Sequence, residues 1–453
     1  MNQYPKPFPW LKGILFTGAI ATTATLSLLT PMGGRSVFAA LQDSPKNVVD
    51  EVWQIVNREY VDHTFNQVDW QATRQQLLSK NYSTQEQAYE AIRNALEPLG
   101  DPYTRFLDPE QFQALTSQTS GELSGVGIRM GVDETTKRLL VVEPIENSPA
   151  FKAQIKAGDQ IVAIDGKSTD GMSPEDASAL IRGEVGTSIT LQLSRPGRGI
   201  FDVTLTRAQI ELPAVHYRVK EEGEMRVGYI SLDEFSSHAA EQMERAIDNL
   251  NGQNINAYVL DLRGNPGGLL HSSIEIARMW MENGVIVRTV DRKGGKQEFS
   301  ANRKALTQLP LVVLVDGNSA SASEILTGAL KDNKRATVVG SRTFGKAVVQ
   351  SVHSLSDGSG LAVTISRYYP PSGTDINHKG IVPDINLDLT REQQQRLASE
   401  PDLRATNNDP QYQRAVSFLE TNVLARPNLS QPVKPISIRW KSEINIMKNT
   451  DGT

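Results

Sequence analysis

The sequence predicts a multi-domain protein of the α+β class, with a helical N-terminal unit, a β-rich module and an α/β core. Its 453 residues exceed one ordinary core, because domains run to roughly 100–200 residues. The hydrophobic pattern is helical at first, changes to short β runs, and then alternates between strands and helices. The predicted regions are 1–40, 41–115, 116–208, 209–390 and 391–453.

The first 40 residues read as an export signal. Lys6 and Lys12 precede an uncharged apolar run over 13–29, and small residues follow up to Ala40. This order predicts cleavage near Ala39 or Ala40 and a mature protein that works outside the cytoplasm, in a periplasm or a thylakoid lumen. The alternative is an uncleaved membrane anchor, since the run with its flanks approaches the ~20 residues of a spanning helix. If the segment stays uncleaved, membrane contact is expected through it alone.

Composition excludes several classes of function. The 47 Lys and Arg nearly balance the 52 Asp and Glu, so no basic field predicts a nucleic-acid partner. The absence of cysteine excludes disulfides, a thiol nucleophile and a Cys-ligated metal. The six histidines show no metal-ligand spacing. We therefore expect no metal and no cofactor, and any nucleophile is a hydroxyl.

The second region, up to about Phe112, has helical periodicity. Thr84–Gln87 resembles a capping box at the start of one helix. The turn Gly100–Leu107 closes the unit with an aromatic cluster, which we interpret as packing.

The third region combines five β runs with one helix, Ser173–Arg182, which has Pro174 at its first position. The runs occupy 125–130, 139–142, 159–164, 189–193 and 201–206. With Lys156–Ile161 and a glycine loop, this order resembles a PDZ domain. The resemblance implies that the loop residues Gly125, Val126, Gly127 and Ile128 bind a peptide's terminal carboxylate through backbone N–H groups. The alternative is a β-rich spacer with incidental glycines.

The fourth region repeats a strand, a loop and a helix. The apolar strands 257–262 and 311–315 are each followed by a loop containing glycine. Such repeats predict a parallel or mixed sheet covered by helices. Functional groups gather at the carboxyl ends of such strands, so the two loops should meet if the strands are neighbours. Beyond residue 390 we expect one helix over 413–424 and a loose tail with a short strand, Ile436–Trp440.

Ser321 is the candidate nucleophile, because it begins a predicted helix between two small alanines. The N–H of Ala322 and one from Gly267 or Gly268 could stabilise an oxyanion. A plain helix cap is the alternative role for Ser321, and Ser319 and Ser323 compete as nucleophiles.

Lys346 is the candidate base, because its setting is apolar and desolvation lowers the pKa of an amine. Gln350 could hold that amine in line. Residues four apart lie about 13 Å apart along a strand but ~6 Å apart across a helical turn. We therefore predict a helical turn here, although the β-branched Val348 and Val349 favour a strand. The alternative is a strand lysine that reaches out to solvent.

These motifs together resemble the carboxyl-terminal processing (tail-specific) proteases, in particular the cyanobacterial members. The matching segments are Gly100–Leu107, the two PDZ signatures, Asp261–Gly268, Ser319–Glu324, Phe344–Gln350 and Gly380–Asp384. The resemblance implies a core of the crotonase and Clp-protease type, with Ser321 as nucleophile, Lys346 as base and Gln350 as its partner. It also makes Arg182 similar to a gating arginine. Because Gly264–Pro266 departs from the usual pattern, the oxyanion donor stays open between Gly267 and Gly268.

The predicted function is an exported serine endopeptidase that binds protein substrates by a free C-terminus and cleaves upstream of it. A non-catalytic PDZ adaptor or chaperone is the alternative. Penicillin-binding acyl enzymes use Ser-x-x-Lys on one helix, and no lysine follows Ser321 at that spacing. The resemblance also suggests the photosystem II reaction-centre precursor as substrate.

Overall fold

A computed structural model describes residues 45–133 and 135–424. The predicted export signal and the predicted strand Ile436–Trp440 lie outside these residues. None of the helices in the described ranges is long and apolar enough to cross a membrane.

The N-terminal unit is helical, as predicted, but it also extends the core. Its helices are α1 (Pro45–Glu59), α2 (Trp70–Ser79), α3 (Gln85–Leu96) and α4 (Pro109–Ser120), with short 3₁₀ turns at Phe65–Gln67 and Glu97–Leu99. Thr84 caps α3 by accepting the N–H of Gln87 at 3.3 Å. After the turn at Gly100, strand β1 (Arg105–Leu107) pairs antiparallel with a core strand, Gly360–Tyr369. The unit therefore shares a sheet with the core.

The β-rich module has the predicted strands, with one change. They are β2 (Glu122–Gly125), β3 (Ile128–Val132), β4 (Leu139–Pro144), β5 (Gln160–Ile164), β6 (Lys167–Ser168), β7 (Ser188–Arg195) and β8 (Gly199–Thr206), with helices α5 (Pro149–Lys152) and α6 (Pro174–Ile181). The predicted run 125–130 is divided at Val126 and Gly127. Gly127 has a φ of 78°, and a Cβ there would lie 2.2 Å from the Cβ of Ser148. This turn separates β2, which pairs with β9 (Ala208–Glu211), from the main sheet of the module.

The core contains two sheets. A mixed sheet has the order β10-β11-β12-β15-β16-β19, in which β10 and β11 are antiparallel and the other pairs are parallel. Its strands are β10 (Val215–Glu222), β11 (Met225–Leu232), β12 (Ala257–Asp261), β15 (Leu311–Val315), β16 (Thr337–Gly340) and β19 (Ile385–Asn386). The antiparallel sheet contains β1, β13 (Val285–Asp291), β14 (Lys296–Ser300), β17 (Val348–Ser354) and β18 (Gly360–Tyr369). Because β12 and β15 are parallel neighbours, the loops that follow them meet, as predicted.

Helices cover both faces of the mixed sheet. Helices α7 (Ala239–Asn251), α8 (Leu270–Trp280) and α9 (Ala322–Asp332) share one apolar core with it. After α10 (Arg391–Ser399) and a 3₁₀ turn at Pro401–Leu403, α11 (Pro410–Leu424) packs on the opposite face through residues such as Tyr412 and Leu419. The helix predicted over 413–424 is thus present and begins three residues earlier.

Candidate active site

Ser321 stands at a strained turn between β15 and α9. Its φ of 54° and ψ of −110° lie outside the regions that non-glycine residues favour. Such a backbone costs about 1–3 kcal/mol and is found where a site requires it. A serine on a sharp strand-to-helix turn presents its hydroxyl at the end of the sheet, the geometry that activated serines use in other hydrolases.

The neighbouring serines are engaged in structure. Ser319 and Ser323 are fully buried. The hydroxyl of Ser319 donates to the Leu262 carbonyl at 2.8 Å, and that of Ser323 donates to the Asn265 carbonyl at 3.0 Å. The first bond holds the serine segment against the residue that follows β12, and the second holds it against the glycine loop 264–268. Of the three candidate nucleophiles, Ser321 is the one whose hydroxyl donates no hydrogen bond within the described residues, although Ser321 also stands at the N-cap of a capping box with Glu324.

The glycine loop distinguishes its two candidate oxyanion donors. The N–H of Gly267 donates to Asn265 Oδ1 at 2.8 Å and is therefore occupied. In the described part of the chain, the N–H groups of Gly268 and Ala322 have no hydrogen-bond acceptor. Gly268 has a φ of 142°, and a Cβ there would lie 2.4 Å from the Phe235 carbonyl oxygen. Of the two glycines, Gly268 is thus the one with a free N–H, and the N–H of Ala322, the residue after Ser321, is free as well.

Lys346 is buried, with 3% of its surface exposed. Burial, with a smaller contribution from the nearby Arg105 cation, lowers the pKa of its amine to about 7, against the opposing effects of Asp101 and Glu324. The Lys346 Nζ lies 4.5 Å from the centroid of the Tyr103 ring. A lysine in this state is half neutral near pH 7, so it can accept a proton from a hydroxyl. The Lys346 side chain therefore does not reach out to solvent, contrary to the alternative interpretation.

Glu324 joins the serine and lysine segments. Its Oε2 accepts the N–H of Ser321 at 2.9 Å and that of Lys346 at 2.8 Å. Its Oε1 accepts the Thr343 hydroxyl at 2.5 Å and the N–H of Gly345 at 2.7 Å. Burial raises the pKa of this carboxyl group, against the four donors that lower it. The sequence predicted Glu324 as a capping residue; its bonds to the lysine segment needed the tertiary fold.

A second bridge comes from β18. The buried hydroxyl of Tyr368 lies 3.0 Å from the Ser321 carbonyl oxygen and 2.6 Å from that of Lys346. Burial raises the pKa of this phenol, so it remains a donor. The two backbones are thus held together from both sides. Within the described residues, no hydrogen bond joins the Ser321 hydroxyl to the Lys346 amine directly.

The predicted helical turn over Lys346–Gln350 is wrong. Lys346 precedes β17, and Gln350 lies within it, opposite Thr364 of β18. The local preference of Val348 and Val349 prevails, because the strand gains a ladder with β18 over its whole length. The Gln350 amide donates to Thr364 Oγ1 at 3.4 Å. No hydrogen bond between Gln350 and Lys346 exists in the described part of the chain.

The turn Gly100–Leu107 contributes more than the predicted packing. It brings Tyr103 against the Lys346 amine and Arg105 close enough to affect its charge. Apolar and aromatic residues in a turn usually pack, so local pattern did not reveal this role. The signal was the occurrence of Asp101 and Arg105 beside an aromatic residue in one short turn.

The predicted peptide-binding residues lie together in the β-rich module. Gly125 ends β2, Ile128 begins β3, and the carbonyls of Val126 and Gly127 accept the N–H groups of Ala150 and Ile145, each at 2.9 Å. Strand β3 pairs with β4 on one edge, and no described strand pairs with its other edge. An unpaired edge is what strand addition of a peptide requires.

Arg182 is exposed at the end of α6. The carbonyl of the next residue, Gly183, accepts the hydroxyl of Ser124, which precedes the glycine loop. Arg182 therefore lies near the predicted carboxylate loop. It makes no hydrogen bond or ion pair with the Ser321 or Lys346 segments as far as the described residues extend.

Several known proteins are similar to this chain. The pattern of peptidase family S41 matches residues 226–387, and that of the PDZ domain matches 140–195. The carboxyl-terminal-processing protease of Picosynechococcus sp. is 44% identical over 82% of this chain and 88% of the relative. The one from Synechocystis sp. is 40% identical over 89% of this chain and 93% of the relative.

A solved structure is also similar. The photosystem II D1 C-terminal processing protease superposes with a TM-score of 0.51 at 36% identity, covering 82% of this chain and 99% of that one. This likeness supports the predicted α+β fold class with a PDZ domain and a peptidase core. Relatives that are named as proteases favour an enzyme over a non-catalytic adaptor. The chain belongs to the S41 family of carboxyl-terminal processing peptidases, the branch that carries a PDZ domain.

Proposed function

We propose that this peptidase works with a Ser321–Lys346 dyad, with Gln350 as a supporting residue, and that it acts on protein substrates with free C-termini. The single observation that carries the dyad is the Glu324 carboxylate, which accepts N–H groups from both Ser321 and Lys346. Such a bond pair keeps the two segments adjacent while leaving both side chains for chemistry. The buried amine supplies the base, because its pKa of about 7 leaves a large neutral fraction.

The proposed reaction is acyl transfer. Neutral Lys346 takes the Ser321 hydroxyl proton as Oγ bonds to the scissile carbonyl carbon. The resulting oxyanion is stabilised by the N–H groups of Ala322 and Gly268. The Lys346 ammonium then protonates the leaving amine, and the C–N bond breaks. Water, deprotonated by Lys346, attacks the acyl-enzyme, and Ser321 leaves with the returned proton.

The PDZ module would select the substrate. A peptide strand added to the unpaired edge of β3 would bring its terminal carboxylate to Gly125, Val126, Gly127 and Ile128, with Arg182 nearby. We further propose the division 41–115, 116–208, 209–390 and 391–453, in which helix α4 crosses the first boundary and β1 joins the core sheet.

The cellular setting belongs to the same proposal. The N-terminal 40 residues would direct export to the periplasm or thylakoid lumen. Relatives include enzymes described as chloroplastic, such as carboxyl-terminal-processing peptidase 2 of Arabidopsis thaliana. The structural neighbour processes the photosystem II D1 protein by its description. That precursor is accordingly the first natural substrate to test.

The test uses two fluorogenic peptides that differ only at their end, one with a free apolar C-terminus and one amidated. The purified protein should cleave the first faster. Ser321→Ala and Lys346→Ala should abolish cleavage while retaining peptide binding, and the exposed control Lys304→Met should keep wild-type activity. Binding without turnover in the wild type would support the adaptor alternative. Cleavage that persists in Ser321→Ala would refute the dyad.

A further inference from the structure

The Lys346 amine has no hydrogen-bond partner among the described residues that would hold it in place. Among the described residues, Nζ has no hydrogen-bond acceptor and no ion-pair partner within bonding distance, although three charged groups affect it from farther away. Nζ lies over the face of the Tyr103 ring, 4.5 Å from the ring centroid. A flexible four-carbon side chain with no other anchor would sample several rotamers. A ring at this distance both excludes water and attracts a cation.

The turn that carries Tyr103 is held firmly. Asp101 Oδ1 accepts the N–H of Tyr103 at 3.0 Å, and its Oδ2 accepts the Thr104 hydroxyl at 2.7 Å. The Thr104 hydroxyl in turn accepts the N–H of Thr364 from β18 at 3.0 Å. The turn is thus attached to the core sheet directly before β1 joins it. These bonds fix the backbone that carries the Tyr103 ring.

The same attachment includes Gln350. Thr364 accepts the Gln350 amide through its hydroxyl and donates its own N–H to Thr104. Gln350 is therefore connected to the Tyr103 turn through one residue of β18, although it does not contact Lys346 by a hydrogen bond. Gln350, Thr364 and the Tyr103 turn thus form one hydrogen-bonded network near the amine.

We propose that Tyr103 is a positioning residue for Lys346, whose ring face holds the amine in place and stabilises its protonated form between the two proton transfers. This inference rests on the proposed dyad. The π face favours the ammonium, and it opposes the effect of burial, which favours the neutral amine. The phenol itself stays neutral, because burial and the charge of Asp101 raise its pKa to about 12.

The other charged groups around the amine are fixed by the fold. Arg105 on β1 favours the neutral amine, whereas Asp101 in the turn and Glu324 on α9 favour the ammonium. None of these is removed when Tyr103 is replaced. A change in the protonation of Lys346 in a Tyr103 variant can therefore be assigned to the ring, provided that the turn remains folded.

The experiment compares Tyr103→Phe, which keeps the ring, with Tyr103→Leu, which keeps apolar volume and removes the ring. The pH dependence of kcat/KM is measured with the free-C-terminus peptide, and Tyr217→Leu, at an exposed tyrosine, is the control. Tyr103→Phe should match the wild type. In Tyr103→Leu the acid limb should move to lower pH by ~0.5–1 unit, because the ammonium loses its π contact, and kcat should fall by ~10-fold or more.

A second readout does not depend on activity. The rate at which a small amine-reactive reagent labels Lys346 is followed against pH by mass spectrometry in the same variants. The labelling midpoint should shift with the acid limb in Tyr103→Leu and stay unchanged in Tyr103→Phe. Equal thermal unfolding of the variants excludes a collapsed turn.

The outcomes separate two failures. If Lys346→Ala remains active, the dyad is wrong and the role of Tyr103 falls with it. If Lys346→Ala is inactive while both the acid limb and the labelling midpoint of Tyr103→Leu equal those of the wild type, the dyad stands and Tyr103 is merely structural.

Discussion

Two buried clusters of charged residues in the core differ in whether their charges form ion pairs. One contains Arg263, whose guanidinium bonds to Asp261 at 2.6–2.9 Å and to Asp409 at 2.7–2.9 Å. Each of these charges has a partner of opposite sign. The other contains Glu324 and Lys346, which share no ion pair within bonding distance; neutral donors hold the carboxylate, and an aromatic ring lies against the amine.

The difference separates a structural cluster from the cluster that we propose to be reactive. Although burial opposes it, the Arg263 cation keeps the pKa of Asp261 below its ordinary value of 3.8. The cluster thus stays charged and fastens the start of α11, where Asp409 also accepts the N–H of Tyr412 at 3.1 Å. Lys346 instead has a pKa moved to about 7, into the range where proton transfer occurs. An unpaired buried amine is costly, and such groups are frequent at functional sites.

The largest effect is expected from removing the amine. Lys346→Met keeps the length and apolar character of the side chain, so the fold should persist. Peptide cleavage should fall by at least ~10³-fold, because Ser321 loses its base. Steady-state kinetics measures this, with Lys304→Met as the control. Activity within tenfold of the wild type would mean that the two clusters do not differ in the way proposed.

The same variant tests the sign of the pH linkage. The ordinary lysine pKa is 10.5, and the pKa of Lys346 in the folded protein is about 7. At pH values between these two pKa values, the unfolded chain therefore binds more protons at this residue than the folded protein does. The contribution of Lys346 to the free energy of unfolding is therefore complete above pH 10.5 and is lost as the pH falls through about 7. Urea unfolding at several pH values should show a smaller rise of stability with pH in Lys346→Met than in the wild type. An unchanged slope would contradict the lowered pKa.

Arg263→Met should break the structural cluster. It leaves the Asp261 and Asp409 carboxylates buried without a cation, which should lower the free energy of unfolding by ~3–5 kcal/mol. Denaturant unfolding measures this, and activity per folded molecule should be close to that of the wild type. Exposed Arg58→Met serves as the control. A large loss of kcat in fully folded Arg263→Met would show that this cluster also serves the reaction.

Glu324→Gln keeps the size of the side chain and removes its charge. An amide nitrogen would face donors that now bond to a carboxylate oxygen, so the Ser321 and Lys346 segments should separate. We expect kcat to fall by ~10²-fold and stability by ~1–3 kcal/mol. Kinetics and thermal unfolding together measure this, with the exposed Glu298→Gln as control. Unchanged kcat would remove Glu324 from the site.

The smallest effect is expected at Gln350. Because its amide bonds to Thr364 and not to the amine, Gln350→Ala should reduce kcat/KM by only ~10-fold, about 1.4 kcal/mol. The exposed Gln253→Ala is the matched control. A loss as large as that of Lys346→Met would show that Gln350 contacts the amine directly during turnover, against the geometry described here.

The sequence predicted most elements of the fold because their signals are local. The N-cap at Thr84, the cap of α6 at Ser173 with Pro174 after it, and the apolar strands β12 and β15 all depend on neighbouring residues. The parallel arrangement of β12 and β15 followed from the alternation of strands and helices. It correctly predicted that the glycine loop meets the serine segment.

The error at Gln350 has a long-range cause. Assigning it an orienting role implied a helical turn, whereas the backbone follows the ladder between β17 and β18. Val348 and Val349 follow their strand propensity, and the predicted helical turn is absent. The choice between Gly267 and Gly268 was likewise undecidable locally, because it depends on which N–H the Asn265 side chain takes.

The candidate residue types are already visible in the amino-acid sequence: a serine at a helix start, a lysine in apolar surroundings and no cysteine. Their environment depends on the packing of distant segments. The ring of Tyr103 reaches Lys346 because β1 joins β18, and the four donors of Glu324 converge because two loops meet at one sheet end. The physical reason is that a pKa depends on burial and on charges brought near from distant parts of the chain, which no local pattern contains.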